Sequence, residues 1–160
     1  QGTDVSDFTG MQELHETICA LYARLKGDVV PLCACHCDSY NPNFLINKQG
    51  KMYLIDWEYA GMQDPHVDIA MFCIYSLYKK EQVDHLIDLY FEGNCDDRTR
   101  IKIYCYIAVC GLLWSNWCEY KRKLGVEFGE YSLRQYRYAK DYYKIVQQEL
   151  GEEGKEICTK

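Results

Sequence analysis

Hydrophobic residues near the start of the chain recur at steps of three and four, which is the spacing of one face of a helix. Between Asp7 and Lys26 these positions are Phe8, Met11, Leu14, Ile18, Leu21, Tyr22 and Leu25. Gly27 follows, and glycine commonly ends a helix. The pattern predicts a first helix over 7–26.

After Pro31 the helical spacing gives way to short apolar pieces separated by polar residues. The pieces are Leu32–Cys35, Phe44–Ile46 and Tyr53–Ile55, and the turn-forming stretch Asn47–Lys51 lies between the last two. This alternation is typical of strands and turns. We predict a β-hairpin with its turn centred between Gln49 and Gly50. In that register Asn43 faces Asp56 at the open end of the hairpin.

The second half of the chain returns to helical spacing. Asp64-Pro65 is a helix start signal because proline is favoured in the first turn. The predicted helices are Val67–Tyr78, Glu81–Phe91 ending at Gly93, Arg98–Lys123 ending at Gly125, and Ser132–Leu150 ending at Gly151. We expect the tail after Gly151 to fray. The pattern predicts one α+β domain over 1–160, mostly α, with helices around a small hairpin.

Composition narrows the possible functions. The chain has 160 residues, 48% of them hydrophobic, which is enough for one buried core. Lys and Arg number 18 against 24 Asp and Glu, for a net charge of −6, which disfavours nucleic acid as a partner. The longest apolar stretch, Ile103–Trp114, is shorter than the roughly 18 residues of a membrane span. Without a signal segment, a cytoplasmic protein with no membrane partner is expected.

The 10 cysteines do not require a disulfide framework, because a chain of this length can bury a core without one. Several lie in apolar helical stretches, where cysteine packs as a small hydrophobe. The cluster Cys33, Cys35, His36 and Cys37 lacks the Cys-x2-Cys spacing and the second pair of a structural zinc site. We expect free thiols.

The residues with the clearest chemistry surround the predicted hairpin. Asn43 and Asp56 offer the hard oxygen ligands that Mg²⁺ takes when water and phosphate complete its shell. Asp38 precedes Asn43 by five residues and could accept or orient a hydroxyl proton. Asp and Asn are also common turn residues, and His36 alone is more typical of a hydrogen-bonded core histidine than of a general base. The joint pattern His-x-Asp-x4-Asn, hairpin and Asp favours phosphoryl transfer.

These segments carry a family resemblance. His36–Asn43 and Ile55–Ala60 resemble the catalytic loop and metal-binding segment of choline/ethanolamine kinases, which are related to aminoglycoside phosphotransferases and share the protein-kinase-like fold. Further stretches similar to the bacterial choline kinase type are Val67–Ala70, Trp114–Trp117, Phe128–Tyr131 and Gln135–Lys140. The resemblance extends from about Leu32 to Tyr143 and implies the C-terminal lobe of such an enzyme.

The resemblance also assigns roles to residues. It implies Asp38 as the catalytic base and Asn43 and Asp56 as Mg²⁺ ligands, with ATP as phosphoryl donor. It implies that His36 and Asp68 support the catalytic loop.

The choline site of the family is an aromatic box, because aromatic faces attract a quaternary ammonium. The candidates here are Trp114, Trp117, Tyr59 and Tyr131. Trp114 and Trp117 share a helix face and are equally compatible with core packing. Glu127 is a candidate counter-charge for the ammonium or a solvated loop residue.

Kinases of this fold also use a Gly-rich phosphate loop and a strand lysine in an N-terminal lobe. The 11 glycines form no Gly-x-Gly-x-x-Gly motif, and the chain opens on Gln1. We expect the C-terminal lobe alone, lacking the nucleotide lobe that would be its partner, and little activity by itself. The leading hypothesis is an ATP- and Mg²⁺-dependent choline kinase making phosphocholine. The alternatives are a kinase for ethanolamine, an aminoglycoside or another small alcohol, or a catalytically dead binding module.

Overall fold

The computed structural model describes residues 31–157 continuously, with side chains to residue 151, and residues 15, 16, 18–20 and 23 before them. The strands are β1 (Cys33–Cys35), β2 (Phe44–Ile46), β3 (Met52–Leu54) and β4 (Gly61–Gln63), with a 3-10 turn at Asn41–Asn43. The helices are α1 (His66–Tyr75), α2 (Lys80–Tyr90), α3 (Asp97–Lys123) and α4 (Glu130–Ile157). The α+β, mostly helical fold class is confirmed.

The described strands form two antiparallel ribbons, β1 with β4 and β2 with β3. Strand β4 is absent from the sequence prediction, because Gly61–Gln63 lacks the alternation that marks a strand. Its pairing places Cys35 opposite Gly61. The ribbon therefore brings the segment before the predicted catalytic loop next to the segment that follows the predicted metal ligand.

The predicted hairpin forms, but the predicted register of its two strands is wrong by one residue. Phe44 pairs with Leu54 rather than with Ile55. The cause is the turn, in which Gly50 has a φ of +77° and donates its N–H to the carbonyl of Asn47. A three-residue loop that closes with a left-handed glycine shifts the pairing relative to a two-residue turn.

The register changes the position of the predicted metal ligands. The N–H of Ile55 donates to the carbonyl of Asn43 at 2.9 Å, so Asn43 lies beside Ile55 rather than opposite Asp56. Asp56 follows directly and remains at the same end of the hairpin.

Two helix ends also differ from the prediction. Helix α1 ends at Tyr75 rather than Tyr78, because Leu77 adopts a φ of +53° and Tyr78 donates its N–H back to the carbonyl of Cys73. Helix α4 continues through Gly151 to Ile157. The predicted stop at Gly151 is wrong, since a lone glycine lowers helix stability by about 1 kcal/mol without ending the helix.

The helix predicted over 7–26 falls mostly outside the described residues. Those described within it, 15, 16, 18–20 and 23, are helical. Ile18 is almost completely buried and belongs to the hydrophobic core.

The hydrophobic core lies between α1, α3 and α4. Ile74, Ile107 and Val146, one from each helix, are fully buried. Gly111 lets α3 and α4 approach closely, because a Cβ at this position would lie 2.8 Å from the carbonyl oxygen of Gln135. These three helices form the helical layer, and β2 contacts it where Phe44 packs against Phe72 of α1.

Helix α3 is long and apolar enough to cross a membrane by length and composition alone. However, 72% of its most apolar window is buried inside the fold, as in a core helix of a soluble protein. The nine described cysteines are free, and Cys73, Cys105 and Cys110 are buried in the helices, as predicted.

Candidate active site

The loop between β1 and the 3-10 turn is held by one carboxylate of α1. Asp68 accepts the backbone N–H of His36 on Oδ2 at 2.8 Å and that of Cys37 on Oδ1 at 2.7 Å. Cys37 has a φ of +62°, which is unfavourable for a residue other than glycine. Hydrogen bonds to a charged acceptor are strong enough to stabilise such a conformation. Asp68 therefore fixes the backbone directly before Asp38.

The ring of His36 connects the two segments predicted to carry the chemistry. Asp38 donates its backbone N–H to Nδ1 of His36 at 3.2 Å. Nδ1 is thus an acceptor, so we assign the proton to Nε2, which lies 2.8 Å from the carbonyl of Ile55. The ring is buried and packs edge-on against Trp57 at 4.7 Å. His36 holds the Asp38 loop against the segment that carries Asp56.

The side chain of Asn43 binds the Asp38 residue at two places. Its Nδ2 donates to the Asp38 carbonyl at 2.9 Å and to carboxylate Oδ2 at 3.1 Å. Both contacts use the amide nitrogen, so the amide oxygen of this buried side chain remains available for a cation.

Asp56 is exposed and has a φ of +65°, a conformation that Asp tolerates better than most residues. Across the described residues, no three His, Cys, Asp or Glu side chains cluster as a metal site. The available donors are the Asn43 amide oxygen and the Asp56 carboxylate. Mg²⁺ commonly takes only one or two protein oxygens and completes its shell with phosphate and water. This donor set fits Mg²⁺ bound together with a nucleotide.

Asp38 opens into a cavity of about 970 Å³ that runs along α3. Residues from several elements line it, among them Asp38, Glu58, Tyr59, Asp64, Lys102, Trp114 and Trp117. The ammonium of Lys102 pairs with Asp64 at 2.8 Å. The carboxylates of Asp38 and Glu58 therefore leave the described lining with a net negative charge, which suits a cationic ligand.

Two stacked tryptophans form an aromatic wall of this cavity. The rings of Trp114 and Trp117 stack at 5.6 Å with an interplanar angle of 13°. Phe128 packs against Trp117 at 5.4 Å. Lys121 Nζ lies 5.4 Å from the Trp117 ring centre, so this indole already accepts a cation on its face. Both tryptophans line the cavity, and Trp114 also packs against the core.

Of the other residues predicted to bind the substrate, one lines the cavity and two do not. Tyr59 lines the cavity and is exposed. Neither Tyr131 nor Glu127 is among the described residues that line it. Burial raises the pKa of Tyr131 to about 12. Glu127 is exposed on the loop before α4.

The sequence prediction missed the ion pair in the cavity. Burial raises the pKa of Asp64, but hydrogen bonds from Lys102 and from the His66 backbone outweigh it and hold the pKa below its ordinary value. The sequence pattern marks Asp64 only as part of a helix start. The available signal was Lys102 itself, a charged residue in a largely apolar helical run, since a buried ammonium needs a partner.

The fold and the site define a kinase-like phosphotransferase: a loop aspartate paired with an asparagine, a second aspartate after a hairpin, and a cavity along α3. Comparison with known protein families supports this class. The family described as APH, phosphotransferase enzyme family, matches residues 4–104. The chain belongs to this family.

Two relatives with similar sequences are described as a LicA protein and as a probable ethanolamine kinase. Protein LicA of Haemophilus influenzae is 31% identical over 121 residues, covering 71% of this chain and 34% of that protein. A probable ethanolamine kinase of Arabidopsis thaliana is 28% identical over 151 residues, covering 81% of this chain and 40% of that protein.

Solved structures of choline kinase LicA are also similar to this chain. The crystal structure of choline kinase LicA from Streptococcus pneumoniae has a TM-score of 0.73 and 28% identity, covering 88% of this chain and 50% of that chain. A structure of LicA in complex with AMP has a TM-score of 0.74 and 27% identity, covering 89% of this chain and 50% of that chain. The chain thus spans about a third to a half of the length of these relatives.

Proposed function

We propose that the protein is the acceptor-binding part of an ATP- and Mg²⁺-dependent kinase that phosphorylates choline. The observation that carries the proposal is the cavity that joins Asp38 to the stacked indoles of Trp114 and Trp117. A quaternary ammonium has no N–H to donate and is attracted by aromatic faces and negative charge. Choline combines that group with a hydroxyl two carbons away.

In this proposal each side chain has a separate task. Trp114, with Trp117 stacked against it, and Glu58 bind the ammonium, and Asp38 orients the hydroxyl and accepts its proton during transfer. His36, Asn43 and Asp68 hold Asp38 in place through the hydrogen bonds described above. Asn43 and Asp56 would hold Mg²⁺, which supplies neutralisation of phosphate charge when bound.

Ethanolamine is the main alternative acceptor, and a probable ethanolamine kinase is among the relatives. Its primary ammonium also binds aromatic faces but gains from a hydrogen-bonding carboxylate, which Glu58 could provide. An aminoglycoside is less favoured, because a polycation needs several free carboxylates and Asp64 is already paired with Lys102. A catalytically dead module has no physical need for Asp38, Asn43 and Asp56 together.

The test is ATP consumption by the complete protein in Mg²⁺, with choline, ethanolamine and an aminoglycoside offered separately. We expect the highest kcat/KM with choline. A higher kcat/KM with ethanolamine would replace choline as acceptor and leave the class of reaction unchanged. No turnover with any of them, together with no binding of Mg²⁺-nucleotide, would favour the dead module.

Asp38→Asn tests the proposed base. We expect kcat to fall about 10²–10⁴-fold, since this is the usual contribution of a general base, while nucleotide affinity stays within about twofold of the unmodified protein. Asp141→Asn is the matched control, because Asp141 is exposed on α4. Unchanged turnover in Asp38→Asn would refute the assignment of the base.

A further inference from the structure

The hydroxyl of Tyr75 is buried without a hydrogen-bond partner among the described residues. Tyr75 is the last residue of α1 and is 9% exposed. Buried polar groups nearly always have a partner, and a group that lacks one needs an explanation. A partner that the hydroxyl gains when the site is loaded would explain its burial.

The ring of Tyr75 contacts two residues that belong to the candidate site or lie close to it. It packs against Tyr40 at 5.5 Å, two residues after Asp38, and against Trp114 at 5.3 Å, which lines the cavity. Burial and the neighbouring carboxylate of Asp38 both raise the pKa of Tyr75. The hydroxyl is thus protonated at neutral pH, and Asp38 is the carboxylate that acts on it.

The known contacts of the Asp38 carboxylate leave room for a second donor. Asn43 is the donor described for its side chain, and it uses Oδ2. A carboxylate held at one oxygen can still turn about its terminal bond, whereas donors on both oxygens fix its plane. A hydroxyl that acts in this way has its effect through the base rather than through the acceptor.

We propose that Tyr75 is a positioning residue for Asp38: in the acceptor-loaded site its hydroxyl donates a hydrogen bond to the carboxylate oxygen that Asn43 does not hold. The inference rests on the proposed kinase function and goes beyond it by naming how the base is aligned. Tyr75 neither binds the ammonium nor transfers the proton in this proposal.

The test compares two tyrosine-to-phenylalanine variants in the complete protein. Tyr75→Phe and Tyr142→Phe each delete a buried hydroxyl without a partner among the described residues. Tyr142 packs against Tyr104 and Tyr138 in the core, away from the described cavity lining. We expect Tyr75→Phe to lower kcat about 10- to 100-fold, the effect of losing a hydrogen bond to a charged group, with KM for choline within about twofold. Tyr142→Phe retains kcat.

A double-mutant cycle separates positioning from a general structural effect. In an Asp38→Asn background, Tyr75→Phe should change kcat by less than about twofold, because the group it aligns is already gone. Equal urea midpoints of the variants and the unmodified protein at pH 7 show that the comparison is between folded proteins.

Four results would overturn the inference. They are a kcat within threefold of the unmodified protein in Tyr75→Phe, a rise in KM alone, an additive loss in the double variant, and an equal loss of kcat in Tyr142→Phe. Each leaves the kinase proposal standing as long as the unmodified protein turns over an acceptor. No turnover by the unmodified protein would instead remove the kinase proposal and this inference with it.

Discussion

The helical layer and the β-ribbons of this protein are stabilised in different ways. In the helices, side chains such as Ile74, Ile103 and Ile107 are completely buried. In the ribbons, Ile46 and Met52 are 70% and 60% exposed. Apart from the contact of Phe44 with Phe72 of α1 and the buried Cys35, the ribbons are attached through polar contacts, above all those of Asp68 and the ring of His36.

This difference indicates where stability and chemistry reside. Burial of apolar area contributes most of the free energy of folding, so the helical layer accounts for most of the stability. Hydrogen bonds contribute less but fix direction, which the loop proposed to carry the base would need. Mutations in the two regions should therefore separate effects on unfolding from effects on turnover.

The largest expected effect on stability comes from the helical layer. Ile107→Ala should lower the free energy of unfolding by about 2–5 kcal/mol, since Ile107 is fully buried on α3 and its loss leaves a cavity. Urea denaturation of the chain followed by circular dichroism measures this change. A loss below 1 kcal/mol would contradict the assignment of Ile107 to a tightly packed core.

An intermediate effect is expected where the two regions join. In Asp68→Asn the new amide group faces an N–H of the loop, so one of the hydrogen bonds to His36 and Cys37 is lost. The free energy of unfolding should fall by about 2 kcal/mol, the range for hydrogen bonds to a charged acceptor. The kcat of the complete protein should also fall under conditions in which the variant remains folded, because the backbone before Asp38 is held less firmly. Asp141→Asn, with an exposed carboxylate, should change neither measurement.

The smallest effect is expected in the ribbons. Ile46→Thr keeps a β-branched side chain and should change the free energy of unfolding by less than about 0.5 kcal/mol, as is usual for exposed positions. The same urea titration measures it. A loss as large as that of Ile107→Ala would show that the ribbon is packed against apolar surface and would remove the contrast between the two regions.

Sequence reasoning succeeded where the determining signal was local. Helical spacing predicted α2 and α3 to within about one residue at each end, because periodic burial is visible within a short window. The sequence also singled out Asp38 and Asn43, which are five residues apart and directly hydrogen-bonded.

It failed where distant segments or backbone detail decide the outcome. The hairpin register depends on the left-handed Gly50 in a three-residue loop, which the strand pattern alone does not show. The Asp64–Lys102 pair joins residues 38 positions apart. Strand β4 forms only because β1 offers it an edge, so no local pattern announces it.

Gly111 links the spacing of two helices to the shape of the cavity. It lies one turn before Trp114 on α3 and permits the close crossing of α3 and α4. Any larger residue there would push α3 and α4 apart, and Trp114 and Trp117 would move together with α3. The width of the cavity along α3 thus depends on a residue that does not line it, and the shape of the cavity can change through helix spacing while every cavity-lining side chain stays the same.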